Sequence, residues 1–365
     1  MPSRVPSEKC LFGRRLDARC GAGRRLMVSP AVQPRTAAGG LVYTQDDEPG
    51  FRRVKRGRGF SYHRCDGTLI KDGKTLARIR ALGIPPAYSD VWICAVEDGH
   101  LQATGRDARG RKQYRYHPDF RAAQDEAKFS RLARFGATLP AMRSQIGKDI
   151  GARSTTRRCV IATIIHLLDS TSIRIGNTLY AQQNRSFGLT TLRNRHVSLE
   201  AATVRFRFNG KGGRKWDVSV RDRRVARVIR GLQELPGQQL FRYLDGDTIR
   251  TVTSGDINAY LREISGEDFS AKDFRTWAGT VTAAAMLAGL RQQDEPPTAA
   301  SAIKQAVDAA SHALRNTPAI CRKSYIHPAV FDAFREDHAV FSRMLPDEAE
   351  AEVLLLLQAL DSAAG

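Results

Sequence analysis

Three things are scarce in this chain of 365 residues: acidic side chains, paired cysteines and long apolar runs. Against 58 Lys and Arg there are only 38 Asp and Glu, which leaves a net charge of +20. So large a deficit of acid predicts a polyanionic partner, nucleic acid first. The six cysteines (Cys10, Cys20, Cys65, Cys94, Cys159 and Cys321) are scattered, with no C-x-x-C pair. That argues against a disulfide framework and a structural zinc site, and for a reducing, cytoplasmic setting. An apolar run such as Val353 to Leu357 is far too short to span a bilayer, and no basic amphipathic helix is evident, so no membrane partner is expected. There is no G-x-x-x-x-G-K-[ST] loop to cradle a nucleotide phosphate.

What is present reads in four stretches. Residues 1–40 are rich in Arg, Gly, Ala and Pro without an apolar signal core, and are expected to be a disordered tail. Residues 1–36 hold eight basic and two acidic side chains, so they supply +6 of the +20 and the remaining +14 belongs to the rest of the chain. Met27 is a second candidate start. From 41 to 119, short segments such as "DVWICAV" and "HLQATGRD" predict strands between Gly and Asp turns, with one helix, "KTLARIRALG", stopped by Gly83. From 120 to 345 helical spacing dominates: Val225, Val228, Ile229 and Leu232 fall on one face, as do Ile257, Tyr260, Leu261 and Ile264. One island of strand interrupts them, a hairpin alternating Val204, Phe206, Phe208 and then Trp216, Val218, Val220 about a Gly-rich tip. Residues 346–365 predict a terminal helix or tail that packs on the core or meets a partner. The expected fold class is α+β, a small β-rich domain followed by a larger, mostly helical one.

Four positions carry candidate chemistry. Arg174 follows the apolar helix "CVIATIIHLL"; alone it reads as a cation near a helix C-terminus. Lys211 lies in "NGKGG" at the hairpin tip, either a solvated charge or an unhindered ammonium able to fold over a phosphate. Arg275 is three residues after Lys272, so the two cations share a helical face that either solvent or a bound anion must neutralise. Tyr325 ends "NTPAICRKSYIHP", where Thr317 suits an N-cap and Pro318 the first helical position. A phenol, with pKa about 10, is a poor nucleophile near neutrality unless cations favour the phenolate and a bound phosphate supplies proximity. Together these groups describe attack on a phosphodiester. Two arginines offset charge on the non-bridging oxygens, a lysine protonates the leaving alkoxide, and the tyrosine keeps the phosphoryl bond.

The runs "GRDARGRKQYRYHP" (105–118), "SIRIGNTLY" (172–180), "SFGLTTLRNRHV" (186–197), "FRFNGKGGRKW" (206–216), "AKDFRTWAGT" (271–280) and "NTPAICRKSYIHP" (316–328) resemble, in order, the small type IB DNA topoisomerases of viral and bacterial kind. The resemblance extends from about residue 41 to 335. It implies a β-rich domain and a helical catalytic domain closing as a clamp around duplex DNA. It also implies a 3′-phosphotyrosyl nick, rotation of the free 5′-OH strand and resealing, without metal, ATP or other cofactor. The resemblance further implies a monomer acting on double-stranded DNA in the bacterial nucleoid. Carried over by position, Arg174 and Arg275 resemble the phosphate-clamping arginines, Lys211 the hairpin general acid, Lys272 a further phosphate-side lysine and Tyr325 the nucleophile. Tyr180 resembles an aromatic contacting the backbone near the cleaved bond. Gln113, Tyr114 and Tyr116 resemble the stretch that enters the major groove.

One position departs from the pattern. Many relatives carry histidine nine residues before the nucleophile, where this chain has Asn316. An amide cannot shuttle a proton, but its NH₂ can donate to a non-bridging oxygen, so the expected role is oxyanion stabilisation. The alternatives are a tyrosine recombinase, which typically has His-x-x-Arg where this chain has Lys272-x-x-Arg275, and a non-catalytic basic DNA-binding protein, which would need none of the four groups.

Overall fold

The structure is a computed structural model and describes residues 40–152, 156–336, 340–345 and 348–364. The tail expected to be disordered, with Met27, lies outside the described residues. The chain forms two compact units, one ending at Phe120 and the other beginning at Arg121.

In the first unit, β1 (Gly50–Arg56) and β2 (Gly59–His63) form a hairpin, followed by α1 (Gly73–Ala81). Then come β3 (Ser89–Cys94), β4 (Leu101–Arg106) and β5 (Lys112–Tyr116). All pair antiparallel in the order β2-β1-β3-β4-β5. The central strand β3 is apolar without alternation because both its faces are covered. Val91 and Ile93 pack with Phe51, Ile79 and Ala103 on one side, and Trp92 and Cys94 with Leu101 on the other. Helix α1 is capped by the Asp72 carboxylate, which accepts from the Thr75 N–H at 2.8 Å. It ends before Gly83, whose φ of 57° is left-handed and costs glycine little. The hairpin β1–β2 escaped the sequence reading because β1 is filled with Arg and Lys, which hide its apolar alternation, and β2 is only five half-exposed residues.

The second unit is built around α4 (Arg157–Thr171), after α2 (Pro118–Ser130) and α3 (Leu132–Ile150). From Cys159 to Leu168 almost every α4 side chain is buried, so the helix is apolar all round and runs through the core. Next come α5 (Thr178–Asn184), the three-stranded sheet β6 (Val197–Glu200), β7 (Thr203–Asn209) and β8 (Lys215–Arg221), and α6 (Arg223–Glu234). A second pair of strands, β9 (Arg242–Asp245) and β10 (Thr248–Thr251), was not foreseen, being four residues each and half exposed. Helices α7 (Ser254–Ser265), α8 (Ala271–Arg291), α9 (Ala299–Leu314), α10 (Pro318–Ser324), α11 (Pro328–Arg335), α12 (Val340–Arg343) and α13 (Ala349–Ala364) complete it. The apolar faces read on α6 and α7 are turned inward, with Val225, Val228, Ile229, Leu232, Ile257, Tyr260 and Leu261 buried. At roughly 1.5–3 kcal/mol for each fully buried aliphatic side chain, these faces hold the helices in place. The acidic–apolar end forms α13 and packs on the core: Glu350 accepts from the Trp277 indole at 2.6 Å and pairs with Arg143 at 2.7 Å. Among the described residues, no helix is long and apolar enough to cross a membrane.

The fold class is the α+β arrangement expected, a small β-sheet unit before a larger helical one.

Candidate active site

Arg174 is placed by the way α4 ends. Ser172 caps the helix in a left-handed conformation, φ 56°, and turns the chain out of the core. The segment "FGLTT" then grips this turn, with the Leu189 N–H donating to the Arg174 carbonyl at 2.9 Å and the Thr190 N–H to Ile175 at 2.7 Å. A Cβ at Gly188 would lie 2.5 Å from the Arg174 carbonyl oxygen, so only glycine allows this approach. The guanidinium is half buried and donates to the Asn316 side-chain oxygen.

Arg275, on the first turns of α8, is 4% exposed. Its guanidinium donates to the carbonyls of Ser172 and Leu314, the latter at 2.8 Å, and so ties α8 to the ends of α4 and α9. Its Nε has no hydrogen-bond partner. Burial, and then repulsion from Arg174, push this guanidinium down to about 10, still protonated at neutral pH. Its Cζ lies 5.3 Å from the Tyr325 ring centroid. Lys272 does not share this environment: it is exposed, whereas Arg275 turns into the protein. The expectation of two cations on a common open face is corrected accordingly, since α8 buries the side on which Arg275, Phe274 and Trp277 lie.

Asn316 is 9% exposed and follows Arg315, whose left-handed φ of 48° closes α9. Because its Oδ1 accepts from Arg174, the amide is oriented with Nδ2 as the available donor; apart from the Cys321 thiol facing it, Nδ2 has no partner. Thr317 caps α10 by accepting from the Ile320 N–H at 3.4 Å, and Pro318 takes the first position, as read from the sequence. Tyr325 closes that helix, its N–H donating to Cys321 at 2.9 Å, with its ring half buried. Arg174, Arg275, Asn316 and Tyr325 are thus brought into one cluster from three separate segments, the last two from the two ends of α10. Two N–H donors, Arg275 Nε and Asn316 Nδ2, are left for an incoming acceptor.

Lys211 is exposed at the tip between β7 and β8, where Gly212 and Gly213 take left-handed φ of 73° and 74°. The tip borders the cluster: the charge of the neighbouring Arg214 bears on Arg174 and on Cys321, and Arg315 lies 5.9 Å over the Trp216 ring. Neither Arg214 nor Cys321 stood out in the sequence, since one looks like a surface charge and the other like a small apolar residue.

In the first unit, β5 is an edge strand and its alternation divides the expected contact stretch. Tyr114 and Tyr116 are exposed on one face, rings stacked at 6.1 Å, with the Lys112 ammonium 5.6 Å from the Tyr114 ring. Gln113 lies on the other face and donates to Asp107 at 3.1 Å. Arg111 holds that carboxylate ionised down to about 2. Tyr180 lies in α5, but its side chain is outside the described residues.

Two family profiles match this chain. Residues 117–350 match "Eukaryotic DNA topoisomerase I, catalytic core", and residues 59–107 match "Bacterial DNA topoisomerase IB, N-terminal domain". The class they define is the type I DNA topoisomerase, an isomerase with DNA as its substrate. With more than half of its length matched to the catalytic core, the chain belongs to the type IB topoisomerase family. It is 28% identical over 317 residues to DNA topoisomerase 1B of Acanthamoeba polyphaga mimivirus, covering 85% of this chain and 94% of that protein. Over 127 residues it is 28% identical to DNA topoisomerase 1B of Vaccinia virus, 34% of this chain and 39% of that one. DNA topoisomerase 1 of Mycosarcoma maydis is 23% identical over 236 residues, 58% of this chain and 23% of the fungal protein.

Proposed function

We propose that this enzyme relaxes supercoiled DNA of either sign by nicking one strand through a 3′-phosphotyrosyl bond to Tyr325, without ATP or metal. The observation that carries this reading is the convergence of Tyr325 with two guanidiniums and an amide, in which Arg275 Nε has no acceptor and Asn316 Nδ2 faces only the Cys321 thiol. A phosphodiester entering the cluster meets fixed positive charge and donors for its non-bridging oxygens, which supplies what a metal would otherwise supply. The phenolate oxygen forms a bond to phosphorus, the bond to the 5′ oxygen breaks, and that oxygen takes a proton from Lys211 at the hairpin tip. The free 5′-OH strand rotates about the intact one, and resealing runs the same step backwards. Lys272 adds charge on the phosphate side. Tyr114, Tyr116, Gln113 and Tyr180 are the proposed DNA contacts; the exposure of the two tyrosines beside Lys112 supports this stretch. All four clustered groups come from one chain, in keeping with a monomer, and the bacterial-type N-terminal domain supports a place on the bacterial nucleoid.

The test is relaxation of positively and negatively supercoiled plasmid in excess chelator without nucleotide. Both should relax, because swivelling about one strand has no preferred hand; a requirement for magnesium or ATP would overturn the proposal. Denaturation in mid-reaction should trap protein on the 3′ side of the nick, and Tyr325→Phe should abolish the adduct while DNA binding persists.

A further inference from the structure

Lys128 sits in the last turn of α2 and is 5% exposed although it carries an ammonium. Its Nζ donates at 3.0 Å to the carbonyl of Ser324, the residue before Tyr325. Asp125, one turn earlier, forms a loose ion pair with Nζ at 3.7 Å, longer than the bond to the Ser324 carbonyl. The ammonium also lies 3.7 Å from the Phe129 ring, which in turn meets His327 edge-on at 5.0 Å. Burial pushes it down to about 8, with Asp125 opposing and Lys272 adding to the fall. Methionine would fill such a place without that cost.

Two further contacts fix the same strap. A Cβ on Gly279 would lie 2.4 Å from the Tyr325 carbonyl oxygen, so α8 admits that carbonyl only because it has no side chain there. One residue on, the Thr280 hydroxyl accepts from the His327 N–H at 3.0 Å. Between these anchors Ile326 is fully buried. Residues 324 and 327 are therefore bonded through the backbone by side chains far away in sequence, and the carbonyl of residue 325 is seated against Gly279 between them.

We propose that Lys128 is a positioning residue for the nucleophile: together with Gly279 and Thr280 it fixes the backbone of residues 324–327, so that the phenol is aimed before DNA arrives. This rests on Tyr325 being the nucleophile. The consequence for the reaction is asymmetric. Cleavage starts from a free tyrosine and needs it pre-aimed. Resealing starts from a phosphotyrosine that its bond to DNA already holds.

The test compares single-turnover cleavage, resealing by an added 5′-OH strand, and the covalent fraction at equilibrium, with the adduct mapped by mass spectrometry. Lys128→Met is expected to fold, since replacing a buried charge by an apolar side chain of similar size is often neutral or stabilising. It should slow cleavage about 10- to 100-fold, the scale of a misplaced reacting group. The covalent fraction should fall by the same factor, with resealing, and DNA affinity measured in a Tyr325→Phe background, unchanged. Gly279→Ala should reproduce this signature by displacing the Tyr325 carbonyl. An adduct on another tyrosine in the unaltered enzyme overturns both the nucleophile assignment and this inference. An adduct on Tyr325 with Lys128→Met cleaving at the normal rate overturns the inference alone. So does equal slowing of cleavage and resealing, which would make Lys128 a transition-state group, and so does a lowered melting temperature with a normal rate in the folded fraction.

Discussion

At the scale of single residues, the site turns on which donors are already occupied. Asn316 has its oxygen on Arg174, so the amide can serve a phosphate only through Nδ2. Asn316→Ala should therefore slow cleavage about 10- to 1,000-fold, the range for losing one oxyanion donor. Asn316→His should be milder, because a neutral imidazole can accept from Arg174 on one nitrogen and donate from the other. A fully active Ala variant beside an inactive His variant, in single-turnover assays, would contradict the hydrogen-bond role. Lys211 faces a different demand. If it protonates the leaving oxygen, its loss should matter on an ordinary phosphodiester and far less when that oxygen is replaced by sulfur, whose conjugate thiol has a pKa near about 8.5. Arg275→Ala should stay slow on both DNAs, since its proposed partners are the non-bridging oxygens. Equal slowness of Lys211→Ala on both would move the acid elsewhere, with Lys272 next in line.

At the scale of elements, α8 is the frame on which the site is hung. It carries Arg275, seats the Tyr325 carbonyl at Gly279, and meets α3 where Gly136 faces Trp277. A Cβ at Gly136 would fall 2.3 Å from the Trp277 ring. In an exposed helix, Gly→Ala stabilises by about 1 kcal/mol. Here overpacking, at about 1–3 kcal/mol, should win. Gly136→Ala is thus expected to lower stability in urea or guanidinium titrations, and a gain would show that α3 and α8 can slide apart at no cost. The C-terminal helix α13 braces the same corner through Glu350, bonded to Trp277 and Arg143.

At the scale of the whole molecule, burial of histidine sets a pH response. Burial first, then the charges of Arg195 and Arg193, push His196 down to about 4, and burial does the same for His327. Both folded values lie below the unfolded one, about 6.5. Between pH 6.5 and 4 the unfolded chain therefore takes up protons that the folded one refuses, and stability falls as pH falls through that window. His196→Asn keeps an acceptor for the Arg193 N–H, which Nδ1 now takes at 3.1 Å, and removes one titrating group. Its stability should decline less steeply from pH 6.5 to 4 than that of the unaltered chain, measured by denaturation at several pH values. An unchanged slope would mean that His196 takes up its proton equally in the folded and the unfolded chain.

The amino-acid sequence by itself determined the α+β class, the inward faces of α6 and α7, the capped turn leading to Tyr325, and the family, because each is written in local spacing or contiguous motifs. The charge of +20 pointed to DNA for the same reason: it is a sum over residues and needs no fold. The strand pair β9–β10 was missed because short, half-exposed strands leave little periodic signal. Only the tertiary structure decided that Arg275 is buried on two carbonyls while Lys272 is exposed, and that β5 parts Gln113 from Tyr114 and Tyr116. The same holds for the amide of Asn316, turned by Arg174, and for Lys128, pressed against the Ser324 carbonyl. These are contacts between groups 39 to 196 residues apart in the chain, or the choice of which side of an element meets the core. No local pattern encodes them: their free energy comes from burial, and burial is settled only when the distant partner arrives.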